Sequence, residues 1–192
     1  MKMNLAASIA LCVVSAGIAQ AQDYNFDVFA GASAANTLMW DGIDYDTNSD
    51  TTLGFGISRN DVLTSGLEIG LEYSHNEQEY TGFEPNSIGA DSLLVTARYN
   101  FFQSGGFEGY AGLGLGVANV TYFNSFANYK NSETVGAAQI MLGGRYDVAP
   151  ASQLYLEYRY LKTADAQVAL SLATGDAEFS SSNIVLGYRY SF

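Results

Sequence analysis

The chain is poor in the residues that most chemistry needs. It has one cysteine, one histidine and one tryptophan among 192 residues, and only two prolines. Charged residues make up 15%, and just eight of them are basic, so the net charge is −12. A chain this short of lysine and arginine has no basic footprint for a nucleic acid, and no nucleic-acid partner is expected. The single cysteine, Cys12, lies within the first 21 residues. It sits in the middle of an apolar run, after Leu11, not at a lipidation point. The rest of the chain has no thiol, which excludes disulfides, thiolate catalysis and cysteine metal sites there. No cofactor or metal site is expected from composition.

The first 21 residues read as a unit. Lys2 supplies a positive start, Leu5 to Ala16 is apolar and small, and Ala19-Gln20-Ala21 fits a signal-peptidase cleavage pattern. The apolar run is short for a spanning helix. The expectation is a signal peptide over 1–21, cleaved before Gln22. One domain then spans 22–192, with a net charge of −13 after loss of Lys2.

That domain is rich in glycine (20 in the whole chain) and tyrosine (14), a mix that favours strands and tight turns. Its apolar residues alternate with polar or small ones. From Phe192 backwards in twos come Tyr190, Tyr188, Leu186 and Ile184; the other parity gives Arg189, Gly187, Val185 and Asn183. A period of two predicts a strand with unlike faces. The same pattern predicts eight strands: 25–33, 51–59, 66–74, 92–102, 108–120, 136–147, 153–161 and 182–192. The connections alternate strictly. Segments 34–50, 75–91, 121–135 and 162–181 are long and polar; 60–65, 103–107 and 148–152 are short. In an up-and-down meander all long connections lie at one end, and both termini lie at the other.

Charge placement gives the strongest signal. Asp27, Glu68, Glu72, Arg98, Glu108, Arg145, Glu157, Arg159 and Arg189 lie well inside the strands, all on the parity opposite the apolar face. Alternation alone fits two barrels: a soluble one with its apolar face inward, and a transmembrane one with it outward. Four features favour the membrane. The apolar face carries no charge at its centre, where an arginine or lysine costs about 2–4 kcal/mol at the bilayer midplane. Glycine crowds the polar face, a poor choice for a solvated surface but one that leaves room in a narrow lumen. Tyrosines gather at strand ends, as in interfacial girdles. Long and short connections segregate by end. The fold expected is an all-β, eight-stranded, antiparallel up-and-down transmembrane barrel.

The polar faces would place Glu68, Glu72, Arg98, Glu108, Arg145, Glu157, Arg159 and Arg189 in the lumen as a paired charge network, since a buried ion without a partner is very costly. Arg145 and Glu157 flank a short turn and are expected to be cross-strand neighbours. A gated ion pathway through the same residues is the alternative. For catalysis, Ser74-His75-Asn76-Glu77 holds the right residue types, but Ser74 and His75 would point to opposite faces and adjacency is not a triad. The His-x-Ser pattern of lipid A deacylases fails, with Glu77 and Gln78 where serine is needed. Asp44-x-Asp46-x-Asn48-x-Asp50 has alternating oxygen ligands but lacks the glycine and glutamate of a calcium hand. Asn119-Val120-Thr121 matches a glycosylation pattern by chance.

Three stretches carry a family resemblance: Leu154-Tyr155-Leu156-Glu157-Tyr158-Arg159-Tyr160, Tyr110-Ala111-Gly112-Leu113-Gly114-Leu115-Gly116-Val117, and the ending Leu186-Gly187-Tyr188-Arg189-Tyr190-Ser191-Phe192. Domain 22–192 resembles the bacterial eight-stranded outer-membrane barrels, both opacity-type proteins and the OmpA-like transmembrane domain. The resemblance implies an N-terminus in the periplasm, long loops outside the cell, and a monomer among outer-membrane lipid and lipopolysaccharide. It also implies that Tyr188, Tyr190 and Phe192 form the signal read by the barrel-assembly machinery. The function expected is structural or surface-interacting, through long acidic loops. A small porin-like channel is the alternative, and a lipid-modifying enzyme the third reading.

Overall fold

A computed structural model describes residues 23–40, 43–46, 51–79, 86–124, 129–170 and 173–192. The expected signal segment 1–21 lies outside them, as do the side chains of the calcium-like stretch 44–50.

Among the described residues every regular element is a strand: β1 (Tyr24–Trp40), β2 (Ile43–Asp46), β3 (Thr51–Arg59), β4 (Leu67–Glu79), β5 (Asn86–Ser104), β6 (Phe107–Asn124), β7 (Tyr129–Ala149), β8 (Ser152–Thr163), β9 (Ala166–Leu170) and β10 (Ala173–Ser191). Eight of these pair antiparallel in the order β1, β3, β4, β5, β6, β7, β8, β10, and β10 pairs back with β1 from Asn25↔Ser191 to Trp40↔Ala177. Closure removes the bare edge that a terminal strand would otherwise present. Tyr24 and Phe192 complete the seam with backbone hydrogen bonds of 3.2 and 2.9 Å. The short β2 and β9 pair only with the far ends of β1 and β10.

The three short connections fall where the sequence predicts them. Gly105 and Gly106 make the β5–β6 turn, both at positive φ (58° and 80°), a conformation other residues adopt at a cost. At the β3–β4 turn, Gly66 N–H donates to Asp61 Oδ1 at 2.7 Å. A bulge between Asn100 and Phe102 leaves both Phe101 and Phe102 on the outer face, thickening the aromatic band at this end.

The long connections differ from expectation. Segments 34–50, 75–91, 121–135 and 162–181 are for the most part paired strand, not loop: β4 runs on to Glu79 against β5, and β6 to Asn124 against β7. With 19, 18 and 21 residues, β5, β6 and β7 far exceed the roughly 9–11 that a tilted strand needs to cross a bilayer. Their extra length pairs into hairpins that run on past the apolar outer band. Inside these hairpins Ile88, Ala90, Val120, Val135, Leu161 and Phe179 share one buried apolar cluster. That packing offsets the entropy of ordering stretches whose composition reads as loop.

In the barrel proper the faces are as the charges require. Leu53, Phe55, Val95, Leu115, Leu142 and Leu156 are exposed on the outer wall, while Asp27, Glu68, Arg98 and Arg159 are buried within. The soluble reading, with apolar residues inward, is therefore set aside. The glycines of the inner face serve particular rings. Gly54 faces Phe29, and Gly187 faces Tyr155 across the ladder. A Cβ on Gly187 would overlap the Tyr155 ring, and one on Gly54 the Phe29 ring. These rings lie flat over the neighbouring strand because nothing projects there.

Gly187→Ala should accordingly destabilise the barrel by about 1–3 kcal/mol, the usual cost of overpacking. The temperature at which detergent-folded protein changes electrophoretic mobility should fall. Gly136→Ala is the control, since nothing lies within 4 Å of its would-be Cβ. Equal behaviour of the two variants would refute the ring-and-glycine account.

Candidate functional site

The eight strands bring four arginines and four carboxylates into one belt across the lumen. Arg98, Arg145, Arg159 and Arg189 face Asp27, Glu68, Glu72 and Glu157, and every one of the eight is buried. Inward placement follows from strand parity; convergence follows from closure, since the residues come from β1, β4, β5, β7, β8 and β10.

Glu68 is one hub. Its carboxylate accepts from Arg98 Nη1 (3.1 Å), Arg145 Nη1 (3.1 Å) and Arg189 Nη1 and Nη2 (2.6 and 2.7 Å). Glu72 is the other, accepting from Arg98 Nη2 (2.5 Å), Arg159 Nη1 (3.0 Å) and Gln139 Nε2 (3.1 Å). Arg98 joins the two hubs. Arg189 also donates to both oxygens of Asp27, at 2.7 Å each, a bidentate grip with the added geometric specificity such pairs carry. Aromatic faces cover two of the cations: the Arg159 guanidinium lies 3.7 Å from the Phe29 ring centre, and that of Arg145 lies 4.4 Å from Tyr110.

Two expected details change. Arg145 and Glu157 are not partners. The register sets Arg145 opposite Tyr155 and Glu157 opposite Gly143. Arg145 instead reaches across the lumen to Glu68, and lies 3.6 Å from its direct cross-strand neighbour Glu108 on β6. Glu157 contacts Arg159 Nε at 2.5 Å and Arg98 Nε at 3.7 Å, without hydrogen-bond geometry at either oxygen. A flanking position at a turn says little about pairing when each side chain can reach across a narrow barrel. Asp27, identified from the sequence only as an inward charge, is a full member of the belt. Glu108 lies at its rim, half-buried, and also accepts from Gln103 Nε2 at 3.1 Å.

On either side of the belt the lumen differs. Toward the short turns it opens into a vestibule of about 850 Å³ lined by Asn25, Asn60 and Asn100, with Glu68, Arg145 and Arg189 at its floor. Toward the hairpins it closes. One side is a polar chain: Ser74 and Ser92 share a 2.7 Å hydroxyl hydrogen bond, and Asn76 Oδ1 accepts from Thr52 and Asn183 at 2.7 and 3.1 Å. The other side is the apolar cluster around Leu94, Val120 and Leu161.

Ser74 and His75 do point to opposite faces. Ser74 is inside; His75 is on the outer wall, where its Nδ1 lies 2.8 Å from Asp91 Oδ1, and Tyr73 donates to the same oxygen at 2.7 Å. Among the described residues the side-chain partners of His75 are Asp91 and, at 3.9 Å, Glu77, and no serine or threonine hydroxyl is among them. Sequence reasoning put Asp91 in a loop; only the β4–β5 register, His75↔Asp91, pairs the two. The three C-terminal aromatics stand on the outer wall at the short-turn end. Tyr190 and Phe192 stack at 6.4 Å, Phe192 stacks with Tyr24 at 6.2 Å, and the Tyr188 hydroxyl lies 2.8 Å from Ser152 Oγ.

An apolar outer wall around a charged, filled interior defines an eight-stranded outer-membrane β-barrel. The chain belongs to the outer membrane protein beta-barrel domain family, whose profile matches residues 6–192. It is similar in structure to Neisserial surface protein A, with a TM-score of 0.62 at 14% identity over 90% of this chain and 98% of that one. The outer membrane protein AlkL in lipid bilayers is similar at 0.52, with 20% identity over 93% of each chain. A major outer membrane protein of Thermus thermophilus is similar at 0.51, with 12% identity over 88% of this chain and 99% of that one. At such identities the likeness speaks for the fold alone. No curated protein matches.

Glu68→Ala and Glu72→Ala should each cost about 3–5 kcal/mol, the range for removing one partner of a buried ion pair. Each deletion strands two or more arginines. Glu157→Ala should cost measurably less, because its contacts are fewer and poorer. Unfolding in detergent with urea measures all three, and a ranking with Glu157 first would overturn the hub assignment.

Proposed function

We propose that this protein is a structural and surface-interacting component of the bacterial outer membrane. It is delivered through a cleaved signal at 1–21 and works through the hairpins that project beyond the bilayer. The observation that carries this reading is the filled lumen. The belt and the apolar layer above it occupy the cross-section, so the useful surface of the molecule is its outside. On this reading the short turns and both termini face the periplasm, and the long hairpins face the medium. The protein is a monomer held among lipid and lipopolysaccharide, and Tyr188, Tyr190 and Phe192 present their aromatic faces to the barrel-assembly machinery. On this reading it has no catalytic role, and among the described residues the partners of His75 are the carboxylates of Asp91 and Glu77. His75→Ala should leave the lipid A profile unchanged.

The vestibule favours a second reading, a small channel for ions or solutes. It enters the barrel from one end but stops at Glu68, Arg145 and Arg189. A channel would need those ion pairs to exchange partners. Purified barrel in a planar bilayer should give no lasting conductance steps. Stable steps in the wild-type protein, abolished when Arg98 or Glu72 is replaced by a bulkier neutral residue, would establish the channel instead.

A further inference from the structure

The single histidine of the chain stands on the outer wall of β4 with an acid beside each ring nitrogen. His75 lies directly opposite Asp91 on β5, and its Nδ1 is 2.8 Å from Asp91 Oδ1. The same oxygen accepts from the Tyr73 hydroxyl at 2.7 Å. Two residues on from His75, on the same face of the strand, Glu77 Oε2 lies 3.9 Å from Nε2. The His75 and Glu77 side chains are 42% and 58% exposed, so solvent reaches both.

The partners fix where the imidazole proton sits. An ionised carboxylate accepts hydrogen bonds and donates none, so the contact with Asp91 puts the proton on Nδ1. Tyr73 and the β4–β5 register keep Asp91 in place for that bond. In the neutral ring Nε2 then carries a lone pair, and it is turned toward Glu77, a second acceptor. Two acceptors facing one another gain from a positive ion between them. A histidine that ligates metal almost always donates its other ring N–H to a carboxylate, which fixes both tautomer and ring orientation. Asp91 and His75 stand in that relation.

We propose that His75 Nε2 and the Glu77 carboxylate form a binding site for a divalent transition-metal ion, of the zinc class, with Asp91 as the positioning residue. An imidazole–carboxylate pair suits zinc, copper or nickel, whereas magnesium and calcium take oxygen ligands. Bonds of roughly 2.0–2.1 Å to a tetrahedral ion set its nitrogen and oxygen ligands about 3.3 Å apart, so the exposed Glu77 carboxylate has to close by roughly 0.6 Å from its present 3.9 Å. Room is available. Gly89 stands opposite Glu77, and a Cβ there would meet only the Asn76 carbonyl oxygen, at 3.5 Å. No group of three metal-ligating side chains occurs among the described residues. The ion would therefore have two protein ligands, and its remaining positions would be open to water or to an oxygen donor from outside. This site is independent of the surface role proposed above.

The test uses the full barrel folded in detergent micelles and purified without a histidine tag, so that one imidazole is present. Nitrogen NMR of the ring should show Nδ1 protonated and Nε2 bare in the metal-free protein. Added zinc should shift the Nε2 signal saturably, and calorimetry should give one such ion per chain. His75→Ala should abolish this binding. Glu77→Gln and Asp91→Asn should each weaken it by about tenfold or more, the range seen when an outer-shell partner is lost. Magnesium should not compete. No saturable shift at millimolar zinc, or a proton on Nε2 in the metal-free neutral ring, would overturn the site. So would zinc binding that is equally tight in His75→Ala, which would assign the ion to other acidic residues. Unweakened binding in Asp91→Asn would remove the positioning role. The ring signal is read on the unaltered chain, so the outcome stands even where a variant fails to fold.

Discussion

A strand that crosses a bilayer has one face against hydrocarbon, and no charge can be afforded there. Much else in this molecule follows from that constraint. The arginines and carboxylates of the membrane strands must turn inward, and once inward they are buried together in a narrow lumen, away from most of the water that would solvate them. They must then neutralise one another. The equal numbers in the belt, four arginines and four carboxylates, meet that demand, with Glu108 at the wetter rim. Buried ion pairs are poor evidence of net stabilisation, because desolvation offsets much of the Coulomb attraction. Their stronger consequence is specificity. Arg189 gripping Asp27 ties the last barrel strand to the first, and Glu68 ties both to β5 and β7. Such contacts are available only in the closed register.

The aromatic residues of the inner face answer a second consequence of the narrow lumen. Rings such as Phe29 and Tyr155 fit because glycine stands opposite, and Phe29 in turn covers the Arg159 guanidinium. The glycine that makes the polar parity look empty in the sequence is where neighbouring rings lie. The lumen is filled from adjacent strands, not left open.

Much of this was legible from residue order. Period two gave the eight barrel strands, and the parity of nine charges gave the inner face; the structure places all nine there. The short turns were legible because glycine and small polar residues interrupt the alternation. The hairpin extensions were not. Their outer faces are polar and their inner faces modestly apolar, so the alternation weakens and changes sense at His75, Asp91 and Asn119. A reader following one phase sees the strand stop. Read as a phase change, Ile88, Ala90 and Val120 signal continued strand with an apolar inner face.

Sequence alone determined which face each residue of the eight predicted strands occupies, because strand geometry assigns faces two residues at a time and lipid permits only one assignment. It did not determine who pairs with whom. Arg145 goes to Glu68, 77 positions away, and not to Glu157 across the turn. Asp91 meets His75 and Tyr73 only through the β4–β5 register. Partners across a lumen depend on the curvature and stagger of a closed sheet, which no local stretch encodes. Tertiary structure therefore decided the belt's connectivity, its two hubs and the closing of the lumen.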